Sequence, residues 1–140
     1  MLKTFRIGGV HPPENKLSAN GKIIVLTLPE QVIIPLSQHI GAPATPIVQK
    51  GDTVKAGQLI AQATGFVSAN IHSSVSGTIV AIDNVTDAAG LSKPAITIKV
   101  EGDEWENGID RTEKIEHNIA LSQEEIIKAI AAAGIVGMGG

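Results

Sequence analysis

The sequence predicts a mainly β domain, a flattened barrel or sandwich of short strands, followed by one helix. Hydrophobic residues make up 43% of the 140 residues, which is typical of a globular chain. The 15 Gly and 7 Pro indicate many turns, and roughly eight short apolar runs lie between them. With two Phe, one Trp and no Tyr, the core has to be built from Ile, Val, Leu and Ala.

The first third of the chain is predicted to hold loops and short strands. Segment 5–16 contains a pair of prolines, which fix φ and lack an amide hydrogen, so it is predicted to be extended or looped. The apolar runs 22–28 (KIIVLTL) and 31–36 (QVIIPL) are predicted as short or edge strands, because Pro29 and Pro35 interrupt them.

The centre of the chain is the most regular part. Segment 48–63 (VQKGDTVKAGQLIAQA) is predicted to form strands joined by tight turns, with Gly51 and Gly57 supplying the positive φ that such turns need. Segment 76–84 (SGTIVAIDN) is predicted as a strand that follows a glycine. Segment 94–100 (PAITIKV) alternates apolar with polar residues and is predicted as the last strand.

The C-terminal part is predicted to be a linker and a helix. Segment 101–118 is acidic and rich in turn residues, which indicates a surface linker. Ser122 and Glu125 predict a capping box at the start of a helix that ends near Gly134. Two interpretations stay open: the helix opens a second domain from about residue 117 onward, or it packs back on the barrel.

Composition excludes several classes of function. A net charge of -3 and 2% aromatic residues argue against nucleic acid, which needs a basic face and stacking rings. The absence of Cys excludes disulfides, thiol catalysis and cysteine-ligated clusters within this stretch. No run approaches the roughly 20 apolar residues that span a bilayer, so the stretch is predicted to be soluble by itself.

No residue pattern predicts a catalytic or metal site. The serines of SSVSG (73–77) lack a nucleophile-elbow pattern and a matching acid and base. Trp105, among carboxylates, is interpreted as solvated surface, with a barrel-edge plug and a partner anchor as alternatives.

The histidines share no metal-ligand spacing and are predicted to be structural. His72 is predicted in an inter-strand turn, and His11 and His39 as loop-positioning or subunit-contact residues. The four histidines are His11, His39, His72 and His117.

Segment 64–80 (TGFVSANIHSSVSGTIV) and the turns before it resemble the biotinyl and lipoyl carrier domains. Those domains carry their cofactor on a lysine at the tip of a hairpin. Aligned backward from Gly77, that lysine falls at Phe66 or within a residue or two of it, but segment 61–92 contains no lysine. Neither Phe66 nor the nearby Ser68 and Asn70 can form the amide, so no covalent lipoyl or biotin is expected.

Four segments together resemble the N-terminal part of the RnfC family, which belongs to the Rnf electron-transport complex, and they cover nearly the whole chain. The surroundings of His11 and His39, combined with the closing glycine run, carry the resemblance beyond the barrel turns. The segments are GGVHPPENK (8–16), VIIPLSQHIGAPATPIVQKGDTVKAGQLIAQ (32–62), IHSSVSGTIVAI (71–82) and IIKAIAAAGIVGMGG (126–140).

The resemblance implies a fold, a location and partners. It implies a barrel-sandwich hybrid domain with an N-terminal extension over 1–115, and a linker, a helix and the start of a truncated flavin/NADH-binding domain over 116–140. The family's proteins are peripheral subunits on the cytoplasmic face of a membrane complex. That complex exchanges electrons between NADH and ferredoxin, coupled to sodium or proton translocation, and its other subunits would be the partners.

The resemblance also implies where cofactors would bind. FMN and two [4Fe-4S] clusters are expected in the full-length protein; the cluster cysteines would lie beyond Gly140, so this stretch itself is expected to hold no cofactor and no catalytic residue. Gly137, Gly139 and Gly140 match the beginning of a loop that approaches FMN and NADH. One alternative is that Gly134 and Gly137 form a helix C-cap and tail. Another is that the barrel is a stand-alone interaction domain unrelated to electron transfer.

Overall fold

The computed structural model describes residue 9 and residues 13–87, 89–112, 114–115 and 117–137. It confirms a mainly β fold with one short helix near the C-terminus. The elements are β1 (Gln31–Pro35), β2 (Thr45–Pro46), β3 (Thr53–Val54), β4 (Leu59–Gln62), β5 (Ile71–His72), β6 (Gly77–Thr86), β7 (Ser92–Val100) and α1 (Gln123–Ala132).

The strands form two antiparallel sheets. One sheet has four strands in the order β1-β7-β6-β3, and the other has three in the order β2-β4-β5. The hairpin of β6 and β7 is the longest feature, and its register shifts between Ile79 and Ala81. Such a bulge bends the strand and increases its twist.

The core is aliphatic and joins both sheets. Ile96 and Ile98 of β7 are 0% exposed, as is Ile60 of β4 in the other sheet. In β7 these inward isoleucines alternate with half-buried Thr97 and exposed Lys99, which confirms the predicted alternation. Because the two sheets share one cluster of buried aliphatic side chains, the domain is a sandwich whose strands curl into a barrel.

The central turns follow the prediction. Gly51 and Gly57 have φ of 97° and 83°, a region that side chains with a Cβ rarely adopt. The Asp52 carboxylate accepts a hydrogen bond from the Gln49 amide at 2.7 Å and closes the first turn. At Gly57 a Cβ would also meet the end of the Ile109 side chain, which is flexible and can move aside, so φ is the reason for glycine in the second turn.

The strand predicted at 22–28 is wrong. This segment is extended but lies in no sheet, and Ile23 and Leu26 are 99% and 82% exposed. A strand requires a neighbouring strand that exchanges backbone hydrogen bonds with it. Within the described residues, β1, the next strand along the chain, pairs with β7 alone, so segment 22–28 has no strand partner there. An apolar run therefore stands outside the core.

Segment 101–112, predicted to be a surface linker, is anchored to the barrel instead. The Ala56 amide donates to the Glu104 carbonyl at 2.9 Å, and the Glu106 amide donates to the Ala56 carbonyl at 2.8 Å. Trp105 between them is 36% exposed, and the Arg111 guanidinium lies 4.4 Å from its ring centre. The Trp105 backbone is thus bound to the barrel, while its side chain stays exposed and donates to the Asp103 carboxylate at 2.8 Å, which agrees with the predicted solvated surface.

Within the part of the chain that the structure describes, no helix has the length and hydropathy required to cross a bilayer.

Candidate functional site: the hairpin loop and helix α1

The hairpin loop, residues 63–70, connects β4 to β5 where a carrier domain would present its lysine. Phe66 stands in this loop, fully exposed, and the neighbouring Val67 is 54% exposed. The residue predicted to replace the carrier lysine is therefore in the expected place. It offers a hydrocarbon ring in place of an amine, so the loop can pack against a partner but cannot form the amide.

The hairpin loop is held by side-chain hydrogen bonds to distant backbone. The Thr64 hydroxyl donates to the Pro43 carbonyl at 2.9 Å, and the Ser68 hydroxyl donates to the Ala42 carbonyl at 2.9 Å. The Ala42 amide returns a bond to the Val67 carbonyl at 3.0 Å. These bonds tie both sides of the loop to segment 42–43.

His39 fixes the end of the same loop. Its Nε2 accepts a hydrogen bond from the Ala69 amide at 3.0 Å, and its Nδ1 lies 2.8 Å from the Ile40 carbonyl. Since Nε2 accepts, the ring carries its proton on Nδ1 and donates it to Ile40. This confirms the predicted loop-positioning role of His39.

The other predicted histidine roles have mixed outcomes. His72 lies in β5 and not in the predicted turn, because its register partner is Leu59 of β4. His117 is exposed, and His11 lies outside the described residues. Among the described residues, no group of three or more His, Asp or Glu could hold a metal ion.

Two serines of SSVSG, Ser73 and Ser76, are structural, and Ser74 is exposed. The Ser73 hydroxyl is buried and donates to the Val75 carbonyl at 2.7 Å. The Ser76 hydroxyl donates to the Glu101 carbonyl at 2.8 Å and accepts from the Glu104 amide at 3.1 Å. Hydroxyls engaged with backbone in this way are not placed to act as nucleophiles.

Helix α1 begins as predicted. The Ser122 hydroxyl accepts from the Glu125 amide at 3.4 Å, and the Glu125 carboxylate accepts from the Ser122 amide at 2.8 Å. These reciprocal bonds are the predicted capping box. They hold the pKa of Glu125 below its ordinary value, because the backbone and side-chain bonds from Ser122 both favour the carboxylate.

The end of α1 meets the hairpin loop at Asn70. The Asn70 Oδ1 accepts from the Ala63 amide at 3.0 Å, and its Nδ2 donates to the Ala132 carbonyl at 3.1 Å. Gly134 follows with φ of 68°, which confirms the predicted helix end. A Cβ at Gly134 would overlap the Asn70 carbonyl oxygen, so the two backbones are in close contact.

The apolar face of α1 remains open and forms a groove with the hairpin loop. Ile127 and Ile130 are 58% and 46% exposed, and no residue of the helix is buried. The groove has a volume of about 550 Å³, and none of the described residues that line it is charged. Within the part of the chain that the structure describes, the hydrogen bond and the close backbone contact between helix and barrel both lie at the C-terminal end of the helix. The lining includes Gly65, Phe66 and Ala69 on the loop and Ile127, Ile130 and Ile135 on the helix side.

Gly137, one of the three predicted cofactor glycines, lies at the edge of this surface. Gly137 is exposed and borders a second cavity of about 340 Å³ together with Ile40, Phe66 and Val67. No atom of the described residues beyond its chain neighbours lies within 4 Å of the place where a Cβ on Gly137 would stand. Gly139 and Gly140 lie outside the described residues. The sequence did not predict the role of Asn70, because its bond to the Ala132 carbonyl joins residues 62 positions apart and no local pattern indicates such a contact.

The comparison with protein families covers the barrel. Residues 3–103 match the model of the family described as the RnfC barrel sandwich hybrid domain. This match confirms the predicted barrel-sandwich hybrid fold.

Curated relatives extend the similarity to the whole chain. The chain is 49% identical over 142 residues to the C subunit of the proton-translocating ferredoxin:NAD(+) oxidoreductase complex of Clostridium ljungdahlii, covering 100% of the chain and 30% of that relative. It is 45% identical over 144 residues to the C subunit of the ion-translocating oxidoreductase complex of Rhodobacter capsulatus, covering 99% of the chain and 27% of the relative.

A third relative shows the same proportions. The chain is 42% identical over 139 residues to the C subunit of the Na(+)-translocating ferredoxin:NAD(+) oxidoreductase complex of Acetobacterium woodii, covering 98% of the chain and 30% of the relative. The chain thus spans less than a third of the length of these relatives. A barrel of two curled sheets, a family match over most of the sequence and similarity along its full length together show that the chain belongs to the RnfC barrel sandwich hybrid domain family.

Proposed function

We propose that the chain is the N-terminal docking and scaffold part of a peripheral electron-transfer subunit in an ion-translocating ferredoxin:NAD oxidoreductase complex. The observation that carries the proposal is the similarity of the whole chain to the C subunits of such complexes, at 42–49% identity in the three relatives described. The partners of this chain would be the other subunits of the complex, and its place would be the cytoplasmic face of the membrane.

The chemistry of the described residues supports a docking role without catalysis. The hairpin loop has an exposed phenyl ring at Phe66 and no lysine, which disfavours a covalent carrier. The groove beside it lies between two elements and has no charged residue in its described lining, so it suits an apolar protein surface. The two-sheet frame below it has one shared aliphatic core, which gives the surface a fixed shape.

Residues 116–140 are proposed to open a flavin/NADH-binding domain, with Gly137, Gly139 and Gly140 at the start of its cofactor loop. The open space at Gly137 fits the close approach of a flavin ring. Helix α1 ends just before it, and the carbonyl end of a helix does not attract a phosphate. The residues of this chain therefore fit one wall of an FMN or NADH site, and the phosphate contacts would come from residues outside it.

The iron–sulfur clusters do not fit this chain. A [4Fe-4S] cluster is ligated by cysteine thiolates, and the sequence contains no cysteine. Both clusters expected for the full-length protein are therefore assigned to other parts of it. In this proposal the barrel contributes attachment and orientation to electron transfer, and no redox centre.

A binding experiment tests the docking role. The tagged chain is mixed with an ion-translocating ferredoxin:NAD oxidoreductase complex from which the RnfC protein has been removed. We expect it to co-elute with the complex in size-exclusion chromatography. Phe66→Asp should weaken binding by roughly tenfold or more, because a charge would enter an apolar contact. Leu91→Asp is the matched control, since Leu91 is 56% exposed at the tip of the other hairpin.

The outcomes separate the candidates. Weaker binding for Phe66→Asp alone supports docking through the hairpin loop. Equal binding of both variants assigns docking to another face, and failure of the unsubstituted chain to bind contradicts the proposal and favours a stand-alone interaction domain.

A further inference from the structure

We infer that Asn70 is a positioning residue: it fixes the C-terminal end of helix α1, and with it the nearby Gly137, on the hairpin loop of the barrel. The purpose of this arrangement rests on the proposed function, in which Gly137 belongs to a loop that faces the cofactor. The arrangement itself rests on contacts of described residues.

The Asn70 side chain bonds to two different elements at once. Its Oδ1 accepts from the Ala63 amide at 3.0 Å, which closes the base of the hairpin loop. Its Nδ2 donates to the Ala132 carbonyl at 3.1 Å. Ala132 is the last residue of α1, so its carbonyl has no partner within the helix. A single amide group therefore links loop and helix, and only Asn or Gln among side chains has both an acceptor and a donor of this kind.

The link is not needed to end the helix. The Gly134 amide donates to the Ala131 carbonyl at 3.1 Å, and the Ile135 amide donates to the Ile130 carbonyl at 3.3 Å. These backbone bonds already close the last turn of α1. What the Asn70 bond adds is the position of that turn relative to the barrel.

Gly134 supplies the second half of the contact. A Cβ at this position would overlap the Asn70 carbonyl oxygen, so the backbone of the helix end lies directly against the backbone of the hairpin loop. A C-cap alone explains the φ of 68° at Gly134 but does not require this close approach. The contact and the hydrogen bond involve the same loop residue, Asn70.

The remainder of α1 offers no alternative anchor. None of its residues is buried, and Ile126, Ile127 and Ile130 are 36%, 58% and 46% exposed. Loss of the link at Asn70 should therefore let the C-terminal end of the helix shift relative to the hairpin loop. Gly137 is only three positions beyond Gly134, so a shift of the helix end should displace Gly137 as well. A cofactor-facing loop has to be held to within about 0.5 Å, which makes this displacement functionally important.

The test measures the position of the helix directly. Because the chain has no cysteine, cysteines introduced at exposed Asp83 in β6 and Lys128 in α1 can be spin-labelled without background. Double electron–electron resonance then gives the distance distribution between barrel and helix. Asn70→Asp keeps the acceptor for the Ala63 amide but replaces the donor with an oxygen that faces the Ala132 carbonyl. We expect the distribution to become at least about twice as wide and its mean to shift, because a hydrogen bond is exchanged for repulsion between two oxygens.

A second variant and two controls complete the design. Gly134→Ala should widen the distribution by forcing the two backbones apart. Gly108→Ala is its control, since Gly108 has φ of 88° with nothing within 4 Å and carries the same backbone strain without the contact. Ser68→Ala is the control for Asn70→Asp, because it weakens the hairpin loop without touching the helix. Both controls should keep the narrow distribution.

The outcomes are distinct from those of the docking experiment. Trp105 fluorescence should show the same unfolding midpoint in Asn70→Asp as in the unsubstituted chain, which separates positioning from a loss of barrel stability. If Asn70→Asp and Gly134→Ala both leave the distribution as narrow as in the unsubstituted chain, the positioning role is overturned, whatever the chain binds. Failure to bind the complex would overturn the docking proposal and leave this result unchanged.

Discussion

The two hairpins of the domain are built in different ways. Strands β6 and β7 pair in nine registered positions, from Gly77 opposite Val100 to Thr86 opposite Ser92. Strands β4 and β5 pair in two positions only. The connection after β6 is closed locally, where the Asp87 carboxylate accepts from the Leu91 amide at 2.9 Å. The hairpin loop after β4 has local bonds too, but it is also held by bonds to residues far away in the sequence.

This difference between the hairpins indicates which of them can exchange its contacts without loss of the fold. A hairpin made of a long backbone ladder tolerates little variation, because its core-facing side chains and register are fixed together. A loop held by individual side chains can exchange one contact for another while the ladder preserves the fold. In this domain the surface proposed for docking and the link to α1 both lie on the loop that side chains hold.

The largest effect should come from breaking the ladder hairpin at its core. Ile98 of β7 is 0% exposed and packs between the two sheets. Ile98→Ala should lower the free energy of unfolding by about 4 kcal/mol, through lost burial and the cavity that remains. Urea denaturation monitored by Trp105 fluorescence measures it. Phe66→Ala, at the exposed tip of the other hairpin, should change this free energy by less than about 0.5 kcal/mol. Comparable losses for the two variants would contradict the contrast between the hairpins.

A smaller effect should separate the two connections. Gly41 has φ of 115°, and a Cβ there would overlap the Val67 carbonyl oxygen of the hairpin loop. Gly41→Ala should therefore cost about 3 kcal/mol, of which about 1–2 kcal/mol is backbone strain and the rest is overlap. Gly90 has φ of 79° and open space around it, so Gly90→Ala should cost only the strain, about 1–2 kcal/mol. Chemical denaturation of both variants gives the difference, and an equal cost would show that the loop yields to the added methyl group.

The features that the sequence predicted correctly are local, and the features that it did not predict depend on long-range contacts. The alternation in β7 and the glycines at the turns are local signals, and the structure follows both. The side-chain bonds that tie the hairpin loop to segment 39–43 join residues 21, 26 and 30 positions apart, and the Asn70 bond to α1 joins residues 62 apart. No local pattern encodes such pairs, so the carrier-like tip at Phe66 was predictable and its attachments were not.

The errors at segments 22–28 and 101–112 have the same physical origin. The run 22–28 has the composition of a strand, but composition does not provide the neighbour that a strand requires. Segment 101–112 has the composition of a linker, yet the Ala56 amide and carbonyl both bond to it. In both cases the structure of the segment depends on which backbone N–H and C=O groups of the sheets are available for hydrogen bonds. That availability is known only once the sheets are assembled.

The smallest effect should be the loss of protection at the start of α1 at low pH. It compares a helix end that a titrating side chain stabilises with the β6–β7 hairpin, which backbone hydrogen bonds stabilise. The Glu125 carboxylate accepts bonds from the Ser122 amide and hydroxyl, which hold its pKa in the folded chain below the ordinary value. Its stabilisation of α1 is therefore complete above the pKa of the unfolded chain, about 4.3, and is lost as the pH falls through the folded-state pKa. Amide exchange at the start of α1, followed by nuclear magnetic resonance, should accelerate in this acid range beyond its intrinsic pH dependence, while amides of the β6–β7 ladder stay protected.

Glu125→Gln isolates the cause of this acid sensitivity. Glutamine keeps an acceptor for the Ser122 amide but does not titrate, so the start of α1 should have nearly the same protection at about pH 3 as at about pH 6, after correction for intrinsic exchange rates. The Glu101 carboxylate on the four-stranded sheet is the internal comparison, since a hydrogen bond from Lys99 also lowers its pKa. Its protonation should leave the ladder intact, because the ladder bonds are between backbone groups that do not titrate. Equal acid sensitivity of the two regions would mean that side chains support the ladder as much as they support the helix.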